Sequence, residues 1–96
     1  MNKSDLILRL ATELDLTQKK AEEVINTVFG LMSDTLARGE RVEIRGFGSF
    51  KVKDYGAYQG RNPKTGEIIE VEPKKLPFFK VGNDLKDRVD NGNQEP

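Results

Sequence analysis

Seven residues near the middle of the chain, Gly60-Arg61-Asn62-Pro63-Lys64-Thr65-Gly66, carry the strongest structural signal. They predict a tight reversal, because proline pushes the preceding residue into an extended conformation and glycine tolerates the positive φ of tight turns. The flanking segments 51–53 and 68–72 read as β-strands. Together they predict a two-stranded ribbon of about residues 54–73 with a basic, proline-containing tip, here called the arm. Since the arm has few large apolar residues to bury, we expect it to close on a partner outside the chain.

Two amphipathic helices are predicted before the arm. Apolar residues recur at helical spacing over residues 6–14, and Asn2 or Ser4 is a suitable N-cap for this segment. A second apolar stripe runs over residues 21–36, and Gly39 lies where a left-handed C-cap belongs. Both stripes predict a hydrophobic core. The length of the second stripe on so short a chain also suggests that part of it packs against a second subunit.

A β-hairpin is predicted between the helices and the arm. Residues 41–45 and 49–53 alternate apolar and polar side chains with a period of two. The segment between them, Gly46-Phe47-Gly48, predicts a turn. A Gly-x-Gly pair can also cradle phosphate, but it lacks the strand-to-helix context of a dinucleotide site, so the turn is the favoured interpretation.

The last part of the chain predicts one more strand, a helix and a tail. Residues 74–80 read as a short strand with a proline of the kind that edge strands tolerate. Residues 84–89 predict a final helix with Leu85 and Val89 facing inward. Residues 90–96 are polar and lack any core anchor, so we expect a frayed tail.

Composition narrows the classes of function. A chain of 96 residues is one domain near the small end of the range for a single core. Cysteine and histidine are both absent, which removes disulfides, thiolate metal sites and the commonest general base. We therefore expect no metal and no cofactor. No apolar run is long enough to cross a bilayer and no signal-peptide pattern occurs, so no membrane association is expected.

Charge is unevenly distributed, although the formal net charge is zero, with 16 cations and 16 anions. Residues 1–45 contain 7 cations and 8 anions, residues 46–89 contain 9 and 6, and residues 90–96 add two anions. Local fields rather than net charge determine what an anionic polymer encounters. The excess of cations around the arm therefore favours an anionic partner, although any single lysine could equally belong to a solvated strand face.

Three motifs, in this order and spacing, resemble the bacterial HU/integration host factor family. They are residues 46–50, Gly-Phe-Gly-Ser-Phe, residues 60–66, Gly-Arg-Asn-Pro-Lys-Thr-Gly, and residues 77–82, Pro-x-Phe-x-x-Gly. The resemblance covers residues 1–89 and so treats them as one DNA-binding domain. Residues 35–46 are most similar to the beta subunit of integration host factor.

This resemblance implies an α+β fold with two N-terminal helices, a three-stranded antiparallel β-saddle with a long β-ribbon arm, and a short C-terminal helix. It also implies an intertwined dimer that binds the minor groove of double-stranded DNA and bends it, with modest sequence preference. The second subunit would be identical or a paralogous alpha-type chain. The implied location is the bacterial cytoplasm, in the nucleoid, with roles in nucleoid organisation, transcription, replication and recombination.

The resemblance gives Pro63 the role of a wedge that enters a base step and kinks the duplex. A proline ring suits this role because it is rigid and apolar, although the sequence alone leaves a simple turn former equally open. The other residues that it implies at the DNA are Arg61, Asn62 and Lys64 beside the wedge, Lys51, Lys53, Lys74, Lys75 and Lys80 along the saddle, and Gly46, Ser49, Lys3 and Ser4.

Arg41, Glu43 and Arg45 form a second candidate contact. They alternate on one outward face, and in beta-type subunits the matching positions approach the minor groove of flanking DNA. A narrow A-tract groove attracts arginine, and a carboxylate between two arginines can fix their direction. The alternative is a surface ion-pair ladder, which would contribute little.

The chain departs from the family pattern at three positions. Tyr55 and Tyr58 stand where many relatives have arginine, and Phe78 is bulkier than the small or polar residue common there. Fewer arm cations imply weaker phosphate binding or some aromatic packing against sugars.

Three other functions remain open at this stage. HU-like binding would have almost no sequence preference, and a protein-interaction module would use the arm to extend another sheet. An enzyme is the weakest option, because acidic pairs such as Glu70 and Glu72 lie on an exposed strand with no site around them.

Overall fold

A computed structural model describes residues 1–92 and confirms the predicted α+β fold. The chain divides into two compact units, residues 1–35 and the part from Leu36 onward. The predicted tail begins at residue 90, but the last helix continues to Asn91, and residues 93–96 lie outside the described residues. In chain order the elements are α1 (Lys3–Leu14), α2 (Gln18–Ala37), β1 (Val42–Ile44), β2 (Gly48–Tyr55), β3 (Tyr58–Arg61), β4 (Ile68–Val71), β5 (Lys74–Val81) and α3 (Asn83–Asn91).

Helix α1 begins with a capping box, and the cap is Asn2 rather than Ser4. The Oδ1 atom of Asn2 accepts a hydrogen bond from the backbone N–H of Asp5 at 2.9 Å. In return, the Asp5 carboxylate accepts one from the backbone N–H of Asn2 at 3.1 Å. The box gives hydrogen-bond partners to the backbone N–H groups of Asn2 and Asp5, and the Asp5 N–H has no partner within the helix. It also places the Asp5 carboxylate at the positive end of the helix dipole.

The helical unit has a small core. Its buried side chains are Ile7, Ala21 and Ile25, with partly buried residues of α1 packed against them. The apolar stripe of α2 continues beyond this core, but Phe29 is 50% exposed and so is only half covered. At its C-terminus α2 ends as predicted, with Gly39 at a φ of +83°.

The larger sheet has the strand order β1-β2-β5 and is antiparallel throughout. Its first strand is shorter than predicted, because Arg41 precedes it and Arg45 already belongs to the turn that joins it to β2. On the inner face, Phe50 and Val52 are half-buried, as expected. Phe79 packs on this face with its ring centroid 4.8 Å from that of Phe50.

Helix α3 is attached to the turn between β1 and β2. The backbone N–H of Gly82 donates to the Phe47 carbonyl at 2.9 Å, and that of Leu85 donates to the Gly46 carbonyl at 3.1 Å. Leu85 is half-buried, but Val89 is 69% exposed, so its predicted inward orientation is wrong. The two backbone hydrogen bonds to the turn are made at the start of α3, by Gly82 and Leu85, and Val89 lies one helical turn beyond Leu85.

The arm contains a separate two-stranded sheet in which β3 pairs antiparallel with β4. Within the ribbon predicted for residues 54–73, Asp54 and Tyr55 still belong to β2 and pair with Lys75 and Lys74 of the larger sheet. The strand pairing is then interrupted and resumes at Tyr58. The arm therefore extends from the larger sheet through a break in the ladder.

Candidate nucleic-acid interface

Hydrogen bonds from main chain and side chain close the tip of the arm. The backbone N–H of Asn62 donates to the Glu67 carbonyl at 2.8 Å, and that of Gly66 donates to the Asn62 carbonyl at 2.7 Å. The Oδ1 atom of Asn62 accepts from the Lys64 N–H at 2.9 Å, an Asx-type turn. Gly66 has the positive φ that the turn needs, +72°, whereas Gly60 lies within β3 and pairs with Ile69.

Pro63 lies at the apex of this closed loop and is exposed. Two exposed cations, Arg61 and Lys64, lie on either side of it along the chain. Asn62 differs from them because it is half-buried and its side-chain oxygen is already used within the loop. The structure thus presents a rigid apolar ring between two cations, and the hydrogen bonds of Asn62 hold the loop closed.

The arm carries fewer cations than anions. From residue 56 to residue 73 the cations are Arg61 and Lys64, whereas the carboxylates are Glu67, Glu70 and Glu72. The excess of positive charge found in the C-terminal half of the sequence therefore lies elsewhere, on the larger sheet.

Four lysines share one face of the larger sheet, here called the basic face. Side chains alternate along a strand, and directly paired residues of antiparallel strands point to the same side. Lys51 and Lys53 therefore lie on the same face of β2, and Lys80 and Lys74 join them because they pair with Ser49 and Tyr55. All four lysines are exposed. The sheet thus brings together four of the five lysines predicted to meet phosphates.

The fifth predicted lysine, Lys75, lies on the opposite face. It pairs in register with Asp54, and its Nζ atom is 3.9 Å from the Asp54 carboxylate. Both side chains are about three-quarters exposed, so this ion pair contributes little to stability. The register therefore separates Lys75 from the basic face.

An aromatic side chain lies among the lysines of the basic face. Phe78 pairs with Lys51 across the strands, and the residue is 42% exposed. The Nζ atom of Lys53 is 3.6 Å from the centroid of the Phe78 ring, within the range of a cation–π interaction. The sequence did not predict the contact between Phe78 and Lys53. The period-two pattern assigns each residue to a face of its own strand, but only the pairing of β2 with β5 shows that the two residues share a face.

An ion pair lies at the edge of the basic face, where β1 adjoins β2. Arg41 Nη2 donates to Glu43 Oε2 at 2.6 Å, and Glu43 pairs in register with Ser49. The hydrogen bond from Arg41, together with its positive charge, lowers the pKa of the Glu43 carboxyl below its ordinary value. The predicted trio is only partly assembled, because Arg45 lies in the turn rather than on the strand.

The remaining predicted residues divide between the two units. Ser49 lies on the basic face and is half-buried, and Gly46, at a φ of +85°, accepts a hydrogen bond from α3 and so has a structural role. Lys3 and Ser4 are exposed in the first turn of α1, in the helical unit. Among residues 1–92 no cluster of acidic side chains is arranged to hold a metal ion.

Comparison with known proteins identifies the family. A family model described as "Bacterial DNA-binding protein" matches residues 1–90, nearly the entire chain. The chain belongs to this bacterial HU family. Among curated relatives, the DNA-binding protein HU-1 of Halalkalibacterium halodurans is 46% identical over 89 residues, which covers 93% of this chain and 99% of that protein.

Solved structures of HU share the fold. One is a cocrystal structure of Anabaena HU with DNA, which is 32% identical with a TM-score of 0.82 and covers 93% of this chain and 97% of that one. Another is HU from Thermotoga maritima, which is 31% identical with a TM-score of 0.66 and covers 93% and 98% of the two chains. These relatives are HU proteins, so the expected similarity to the beta subunit of integration host factor is not confirmed within the family. In the described part of the chain, no helix has the length and apolar character needed to cross a membrane.

Proposed function

We propose that this protein is an architectural DNA-binding protein of the HU type, which binds the minor groove of double-stranded DNA as a dimer and bends it. Residues 1–89 would form the DNA-binding domain. The observation that carries this proposal is the arm tip, where Pro63 stands exposed on a loop closed by hydrogen bonds. The implied setting is the bacterial nucleoid, where such a protein would organise DNA and support transcription, replication and recombination.

The rigidity of the tip supports a wedge role for Pro63. A proline ring has almost no rotamer freedom to lose, and the turn beneath it is already fixed by Asn62 before any DNA is present. Inserting an apolar side chain unstacks a base step at a cost of a few kcal/mol, and the bend that results brings more DNA against protein surface. Arg61 and Lys64 would line the groove on either side.

The basic face would supply the contacts that offset the cost of bending. Its four lysines are exposed and carry no ion pair with a carboxylate among the described contacts. Each phosphate that a lysine neutralises releases condensed counterions, which favours binding at low salt. Because the arm itself has more anions than cations, we place most of the electrostatic attraction on the sheet and most of the bending on the tip. Lys3 and Ser4 would add contacts from the helical unit.

Exposed apolar side chains on the helical unit support the dimer. Val28, Phe29 and Leu31 lie within four residues of each other on α2 and are 47%, 50% and 63% exposed. A small domain with such a surface gains stability when a second subunit covers it. We propose a homodimer as the simplest assembly, and an alpha-type paralogous partner as the alternative.

A second candidate function is a bender with modest sequence preference, like integration host factor. The observation that favours it is the 2.6 Å contact between Arg41 and Glu43, which fixes the direction of a guanidinium at the edge of the basic face. An arginine held in this way could enter a narrow A-tract minor groove. The HU relatives favour weak sequence preference, so this candidate ranks second.

Bending measured by energy transfer across an end-labelled duplex tests the main proposal. We expect the unaltered protein to shorten the end-to-end distance, and Pro63→Ala to reduce the bend more than it reduces affinity. The matched control is Pro73→Ala, a substitution at the other proline of the arm, away from the tip. An unchanged bend in Pro63→Ala would refute the wedge role. Competition between an A-tract-flanked duplex and a random duplex separates the two candidates, and equal affinity excludes the one with sequence preference.

A further inference from the structure

Phe78 is an apolar side chain in an unusual place. It lies on the basic face, opposite Lys51 in the strand register, with 42% of its surface exposed. The aromatic cluster of this sheet, in which Phe79 packs against Phe47 and Phe50, is on the other face and does not include it. Packing in that cluster therefore does not explain Phe78.

The contact that distinguishes Phe78 is with Lys53. The ammonium nitrogen of Lys53 is 3.6 Å from the ring centroid, and the two residues are diagonal neighbours, because Lys53 pairs with Leu76, two residues before Phe78 on the same face. A cation over the face of an aromatic ring is attracted by the ring quadrupole. The ring thus gives a preferred position to the end of a side chain that otherwise samples many rotamers.

We propose that Phe78 is a positioning residue that holds the ammonium group of Lys53 ready for a DNA phosphate. This inference rests on the function proposed above and goes beyond it by assigning a role to a residue that departs from the family pattern. Part of the entropy that a lysine loses on binding a phosphate is then already lost in the free protein. Lys53 should bind phosphate more strongly with the ring present than without it.

A double-mutant cycle on the full-length protein tests the proposal. DNA affinity is measured for the unaltered protein, Phe78→Leu, Lys53→Gln and the double variant on a random duplex at fixed salt. Leucine keeps an apolar side chain and removes the π-face. We expect Phe78→Leu to weaken binding about two- to five-fold for each subunit, the range of an exposed cation–π contact. In the Lys53→Gln background the same substitution should have no effect.

Two further variants guard against a purely structural explanation. Phe78→Tyr retains the π-face and should restore the affinity that Phe78→Leu loses. Lys74→Gln removes another cation of the basic face, four residues from Phe78 along β5, and its effect should add to that of Phe78→Leu because distant sites act independently. The salt dependence provides an independent measure: Lys53→Gln should lower the slope of log K against log salt by about 0.9 for each subunit.

An NMR measurement on the free protein separates this inference from the proposed function. The ring current of Phe78 should shift the ε-methylene protons of Lys53 upfield, and Phe78→Leu should abolish the shift. The positioning role would be refuted if Phe78→Leu lowered affinity equally with and without Lys53, or did not lower it at all. Neither result would contradict DNA binding by the protein. If the unaltered protein failed to bind DNA, both proposals would fall.

Discussion

Gly48 occupies a position in β2 where no side chain fits. A Cβ atom built there would lie 2.6 Å from the backbone oxygen of Lys80 and 2.6 Å from the ring of Phe79. Real Cβ contacts are essentially never that short, and the first neighbour is main chain of the paired strand, so no rotamer change relieves the clash. We therefore expect Gly48→Ala to destabilise the fold by about 1–3 kcal/mol, the usual cost of overpacking a buried site.

Thermal unfolding followed by circular dichroism measures this effect. For a domain of this size, each kcal/mol shifts Tm by roughly 4–8 °C, so the variant should unfold at least several degrees below the unaltered protein. The matched control is Gly56→Ala, since a Cβ atom at Gly56 meets nothing within 4 Å. That variant should be unchanged or slightly more stable, because alanine reduces the entropy of the unfolded chain. Both are compared at one protein concentration, because the proposed dimerisation would make Tm depend on it.

The affected site lies between the aromatic cluster and the basic face. Gly48 pairs with Val81, and its neighbour Ser49 pairs with Lys80, so moving β5 away from β2 would also displace a lysine of the proposed interface. Gly48→Ala should therefore weaken DNA binding as well as lower Tm. Equal stability of the Gly48 and Gly56 variants would show that the packing at this strand pair is not as described.

Three other predictions concern separate parts of the chain. Removing the side chain of the capping box in Asn2→Ala should cost about 1 kcal/mol, measured by urea unfolding, because it leaves a helix N–H without a partner. The NMR titration midpoint of Glu43 should rise in Arg41→Gln, because Arg41 lowers the pKa of this carboxyl in the folded protein. The stability that the pair contributes is therefore present above the ordinary glutamate pKa of about 4.3. It is lost as the pH falls through the lowered pKa. A rise that fails to appear would mean that the ion pair is absent in solution. Lys51→Gln should reduce the salt dependence of DNA binding, whereas Lys75→Gln, on the opposite face, should leave it nearly unchanged.

Local chemistry made much of the fold predictable. The Asn2 cap, the end of α2 at Gly39 and the turn at Gly66 depend on side-chain oxygens and on glycine at positive φ, which act within a few residues. The order of strands and helices follows from periodicity. The errors occurred where an element's end depends on distant contacts, as at Arg45, which joins the turn, and at Val89, which lies beyond the anchored part of α3.

The candidate site was less predictable because it depends on register. Alternation shows that Lys51 and Lys53 share a face of β2, but it does not show which residues of β5 lie opposite them. The observed pairing separates Lys75 from Lys74 and brings Phe78 next to Lys53. Likewise, the sequence shows Asn62 beside Pro63, but only the folded loop reveals that its oxygen is used by the Lys64 N–H.

The break in strand pairing between Tyr55 and Tyr58 leaves the arm with its own ladder of four paired positions, separate from the eight that join β2 to β5. Because the two ladders share no paired position, a change in the register of one does not require a change in the other. A substitution at the tip of the arm need not shift the lysines of the basic face. Likewise, a substitution in the larger sheet need not change the loop that carries Pro63. The proposed wedge at the tip and the proposed phosphate contacts of the sheet therefore stand on separately paired strands of one small scaffold.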